Sequence, residues 1–156
     1  MTRRLAALAV GAGLLLAGCG GGGGGAALPK DEWVQRVNAM CREQLEKWTD
    51  IDEPTSLGEA LGYFDELLAD SRAYSEAFEE LGPPAGDERR YREALEQDKR
   101  GVELLEDVVE ALRAQDGPRL QQLIEELDAL GAEGAALARE LGADDCARSP
   151  TSEGLR

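Results

Sequence analysis

The chain has 156 residues, a formal charge of −15 from 17 basic and 32 acidic side chains, and no histidine. That balance leaves no footprint for nucleic acid, whose binding rests on Lys and Arg neutralising phosphates. The missing histidine removes the commonest general base, the usual catalytic triad and the Glu-x-x-His ligands of di-iron bundles together.

Arg3 and Arg4 precede an apolar run from Leu5 to Leu16, interrupted by Gly11 and Gly13. A basic start, a short apolar core and small residues at a cut site make a secretory signal over residues 1–18. About twelve apolar residues fall short of a membrane span, which needs roughly 20. The run closes on Leu16-Ala17-Gly18-Cys19, which resembles the lipobox of bacterial lipoproteins at all four positions. The resemblance implies cleavage before Cys19 and a diacylglycerol thioether on it. The protein is then exported and anchored by lipid, with its domain on the extracytoplasmic side. The alternative is an ordinary signal peptide with an incidental cysteine. Two acyl chains hold a protein stably where one does not. Gly20 to Gly25 follow at once, so residues 19–28 read as lipidated cysteine plus flexible spacer. Such a spacer has an end-to-end distance on the order of 15 Å.

From Asp31 to Trp48, apolar residues at Trp33/Val34, Val37, Met40/Cys41, Leu45 and Trp48 predict a first helix. Residues 49–55 read as a connection. Asp50, Asp52 and Glu53 within it lack the glycine and distal glutamate of a calcium loop and read as solvated. Ser56 and Glu59 form a capping box for a second helix, which ends at Leu81-Gly82-Pro83-Pro84. Asp87 is expected to cap a third helix reaching about Gln115, with Tyr91, Leu95, Val102, Leu105 and Leu112 on one face. Asp98 lands on that face. Two readings are open for it: an edge position paired with an arginine such as Arg139, or a buried functional carboxylate.

Asp116-Gly117-Pro118 signals a turn and a helix start. The fourth helix repeats leucines at nearly seven-residue spacing from Leu120 to Leu141 and stops at Gly142. Heptads also suit an intermolecular coiled coil, but each run here ends at a clear breaker. The expectation is an all-α, antiparallel four-helix bundle over residues 29–146, with 147–156 as a frayed tail. Gly131 and Gly134 sit among alanines. They make either a smooth face for close helix approach or, with Phe64, Phe78 and Leu105, a ligand cavity.

With Cys19 acylated, Cys41 and Cys146 remain. In an oxidising compartment an even pair points to a disulfide; two free thiols or a metal pair are the alternatives. Helix lengths let such a bridge close only if the first helix is shifted toward the end that holds residues 82–86 and both chain termini. Residues 49–55 then climb extended along the bundle.

The lipobox at Cys19, the run Trp33-Val34-Gln35-Arg36-Val37-Asn38-Ala39-Met40-Cys41, Leu81-Gly82-Pro83-Pro84, and Leu141-Gly142-Ala143-Asp144-Asp145-Cys146 together resemble small exported lipoproteins common in actinobacteria and their relatives. That group has no assigned activity, so the resemblance implies the architecture and brings no catalytic motif. No catalytic residue, metal ligand or cofactor is expected beyond the acyl lipid on Cys19. The first functional expectation is a non-catalytic, membrane-tethered interaction module that engages an envelope protein. The second is a lipoprotein holding a small apolar or lipidic ligand between its helices. An apolar cavity favours the second, a filled core with an exposed apolar patch the first.

Overall fold

Helix-start and helix-stop chemistry sets the frame of the computed structural model, which describes residues 27–52 and 54–148. The four helices are α1 (Lys30–Thr49), α2 (Leu57–Leu81), α3 (Glu88–Ala114) and α4 (Gly117–Leu141), followed by a 3₁₀ turn at Asp144–Ala147. Leu16, Ala17, Gly18, Cys19 and the glycines of the spacer lie outside the described residues, as do residues 149–156.

At the start of α2, Ser56 Oγ accepts from the Glu59 backbone N–H at 3.3 Å. The Glu59 carboxylate reaches one residue past the cap and accepts from the backbone and hydroxyl of Thr55, at 2.8 and 2.7 Å. Such a cap contributes about 1 kcal/mol. Gly82 ends α2 at φ 69°. α4 starts on Asp116, whose side chain accepts from the Arg119 N–H at 3.1 Å, and ends on the left-handed Gly142. The expected cap by Asp87 is corrected. Asp87 holds the position before α3 but makes no capping bond, because its carboxylate is drawn to Lys30 Nζ at 2.7 Å. The 3₁₀ turn was not expected either; the sequence places residues 143–146 within the bundle after the Gly142 stop and gives them no helix of their own.

α3 runs between α2 and α4 and packs along both. Toward the Asp116 end, Leu104, Val108, Leu112 and Leu123 close the core, and Leu68, Leu105 and Val109 continue it. At the other end the core is aromatic. Trp33, Phe78 and Tyr91 meet there with Leu141, their ring centroids 5.1 to 6.4 Å apart. Trp33 is fully buried and donates its indole N–H to Gly82 O at 2.8 Å. The Tyr91 hydroxyl donates to Phe78 O at 3.0 Å.

α1 is docked at this aromatic end alone, against α2 and the 3₁₀ turn. Cys41 and Cys146 are joined, with Cα atoms 5.0 Å apart. Arg42 and Asp145 pair beside the bridge at 2.5 Å, and Leu28 O accepts from Ala85 N at 2.9 Å. Trp33 meets Gly82 and Cys41 meets Tyr74, so each step along α1 is matched by a step back along α2. Carried on at that register, Leu57 lies about nine residues past the end of α1, roughly 14 Å at 1.5 Å per residue. The chain between Thr49 and Leu57 spans that difference in height, and Ile51 within it is half-buried. The shift required by the disulfide is therefore present. The bundle is a three-helix core with a fourth helix clamped to one end.

Candidate functional site

The displacement of α1 leaves its carboxyl-terminal half overhanging the other three helices, and a cavity of about 340 Å³ opens beneath it. α1 supplies Gln44, Leu45 and Trp48; α2 supplies Tyr74 and Phe78; α3 supplies Gln97, Asp98 and Leu105; α4 supplies Gly131 and Gly134. Cys41 and Cys146 also line it. A volume of this size sits at the lower end of small-molecule sites, about 300–1,000 Å³.

Of the residues expected to form a cavity, Phe78, Leu105, Gly131 and Gly134 are brought together, and Phe64 is not. Phe64 packs edge-on against Tyr63 at 5.2 Å and fills the core toward the Asp116 end. It shares a face of α2 with Phe78 but lies about 21 Å further along the axis. Gly131 has open space where a Cβ would project, and at Gly134 the nearest atom, Gln97 Oε1, would be 3.8 Å away. Neither glycine is needed for close helix contact, so their missing side chains leave volume.

Four buried side-chain atoms have no hydrogen-bond partner among the described residues: Gln44 Nε2, Trp48 Nε1, Gln97 Oε1 and Asp98 Oδ2. All four residues line this one cavity. Gln97 has its orientation set by its amide nitrogen, which donates to Glu133 at 3.4 Å and leaves the oxygen inward. The two donors stand on α1 and the two acceptors on α3. An unpartnered buried polar atom costs about 1–3 kcal/mol, so four on one wall-to-wall space mark a place built for an occupant, either ordered water or a ligand.

Asp98 is corrected against one expectation. It makes no pair with Arg139, which is exposed, and no ion pair to Asp98 occurs among the described residues. Burial pushes its carboxyl above the ordinary range, while the Ser75 hydroxyl and the Lys99 charge pull the other way. Tyr74 is pushed up, first by burial and then by the Asp98 charge, so it keeps its proton. Its hydroxyl lies 3.1 Å from Cys41 Sγ; the bridged sulfur has no hydrogen, so the tyrosine donates.

Sequence reasoning missed Gln44, Trp48 and Gln97. Trp48 was legible as an apolar stripe residue, and the consecutive Gln97-Asp98 at a core-facing position was the one signal of a polar wall. The lining gathers unpartnered donors and acceptors around a largely apolar space. The outer groove between α3 and α4 is charged, and both of its arginines are already paired, Arg90 with Glu140 and Arg100 with Glu103. Comparison of the chain with family models, with curated proteins and with solved structures found no match.

Proposed function

We propose that the chain is a membrane-tethered extracytoplasmic lipoprotein whose bundle holds a small, largely apolar molecule. One observation carries the binding half of this reading: a cavity among four helices that collects every unpartnered buried side-chain atom of the described residues. Leu57, 45 % exposed, is the one large hydrophobic side chain left at the described surface. That favours a ligand inside the bundle over an apolar docking patch outside it. The tether half rests on Leu16-Ala17-Gly18-Cys19 and the resemblance to small exported lipoproteins. Among the described residues, no helix is long and apolar enough to cross a membrane.

The full chain, isolated from its own membranes in mild detergent, is the material for the test. Organic extraction and mass spectrometry of the eluate should yield a small molecule at near one equivalent, lost when Gly134→Leu fills the cavity. An empty eluate that brings down an envelope protein would favour the interaction module instead. For the tether, Cys19→Ser should move the protein from the detergent phase to the aqueous phase, or leave it unprocessed. Normal processing with membrane retention would end the anchor assignment.

A further inference from the structure

We propose that Asp98 is the anchor of the cavity and that the ligand is an organic ammonium carrying an oxygen acceptor. Its N–H groups face α3, its oxygen faces α1, and its apolar body lies along Gly131 and Gly134. This rests on the ligand-binding reading above and narrows it to a chemical class.

The polarity of the two walls sets the head group. Of the four unpartnered atoms, α3 carries two acceptors, Asp98 Oδ2 and Gln97 Oε1, and α1 carries the Trp48 Nε1 donor and the Gln44 amide with its nitrogen inward. A molecule that satisfies all four must donate on one side and accept on the other. A neutral hydroxyl does part of this; an ammonium also answers the carboxylate's charge. The protein's own cations near Asp98 are engaged elsewhere. Lys99 pairs with Glu79 at 2.8 Å, and Arg148, at the cavity wall, is beside Asp145 at 3.9 Å. Charge-assisted hydrogen bonds are about twice as strong as neutral ones, and more so away from water.

The rest of the lining agrees. Trp33, Trp48, Tyr74 and Phe78 all border the cavity, and aromatic faces attract alkylammonium groups. The chain's net charge of −15 raises the local concentration of cations and lowers that of anions. Burial alone holds the empty Asp98 partly against ionisation; a bound ammonium removes that penalty by pairing.

Octylamine, octan-1-ol and octanoate share one apolar body and carry a cationic, a neutral and an anionic head at neutral pH. Both tryptophans of the chain border the cavity, so their fluorescence reports occupancy in the full chain. Octylamine should bind at least about tenfold more tightly than octan-1-ol, as expected for a charge-assisted contact, and octanoate should bind weakest. Asp98→Asn should erase the amine's advantage and leave octan-1-ol within about twofold. Gly134→Leu should block all three. Equal affinity for amine and alcohol would overturn the anchor role while leaving the cavity reading intact. An amine preference that survives Asp98→Asn means adsorption to the acidic surface and overturns the anchor as well. Silence from all three probes, with an empty extract from membranes, would end both readings and assign the four polar atoms to water. If Asp98→Asn fails to fold, loss of the amine preference in Gly134→Leu places it in the cavity, and its survival there means surface adsorption and overturns the anchor.

Discussion

Trp33 donates its indole N–H to the carbonyl oxygen of Gly82 at 2.8 Å, fastening the first turn of α1 to the end of α2. The ring is fully buried between Phe78 and Tyr91, so two losses can be separated. Trp33→Phe keeps most of the apolar contact and should cost about 1 kcal/mol for the hydrogen bond, more if Gly82 O is left dry. Trp33→Ala should cost about 3–5 kcal/mol. Urea unfolding of both variants measures the difference; equal losses would mean that the bond contributes little beyond the ring.

Removal of the bridge by Cys41→Ser with Cys146→Ser should cost roughly 4–5 kcal/mol on the chain-entropy account of a 105-residue separation. Its effect should be local. α1 is held at one end, while α3 packs along α2 and α4. Hydrogen exchange should therefore show α1 losing protection while α2, α3 and α4 keep theirs. Equal loss in all four helices would show that the three-helix core does not stand alone.

Asp98→Asn should stabilise the ligand-free protein at neutral pH and do nothing in acid. A carboxyl whose folded pKa is raised binds its proton more tightly folded than unfolded. Its contribution to stability is present below the unfolded pKa and is lost as pH rises through the folded one. The surroundings do not cancel this. α2 brings the Ser75 hydroxyl and a protonated Tyr74, α3 brings Lys99 and Tyr91, and α1 brings the neutral Gln44 and Trp48. The α4 wall contributes the uncharged Gly131 and Gly134, and the 3₁₀ turn contributes Asp145 with Arg148 beside it. Thermal melts of both proteins from pH 4 to 7 should diverge as pH rises; parallel curves would show that Asp98 titrates as a solvated group does.

Gln115 holds a left-handed backbone at φ 55° after the end of α3, a conformation that costs a residue with a Cβ about 1–2 kcal/mol. Gln115→Gly should raise stability by about 0.5–1 kcal/mol, the strain released less the extra freedom of the unfolded chain. That is several degrees in Tm for a domain of this size. No change in Tm would show that the turn relaxes around the glutamine.

The elements that announce themselves chemically were legible in the sequence. Ser56 with Glu59, Gly82-Pro83-Pro84 and Asp116-Gly117-Pro118 set helix ends to within a residue or two. The even pair Cys41 and Cys146, taken with helix lengths, set the level of α1. What periodicity cannot supply is height along a face. Phe64 and Phe78 share a stripe, yet only Phe78 is level with the overhang that opens the cavity. Asp87 and Asp98 show a second limit. Each has a local reading, a cap or a same-face pair, that is displaced by groups remote in sequence, Lys30 in one case and the α1 overhang in the other.

The bridge also imposes an order of events. In a chain made from its amino end, Cys41 exists for 105 residues of synthesis before Cys146 does, roughly 5–20 s at ordinary elongation rates. Through that interval the only other thiol in the sequence is Cys19, 22 positions upstream. Acylation of Cys19, as proposed, would then do more than tether: it would retire the one competitor able to trap Cys41 in the wrong ring. Cys146, 105 residues further on, would then be left as the one disulfide partner for the first helix.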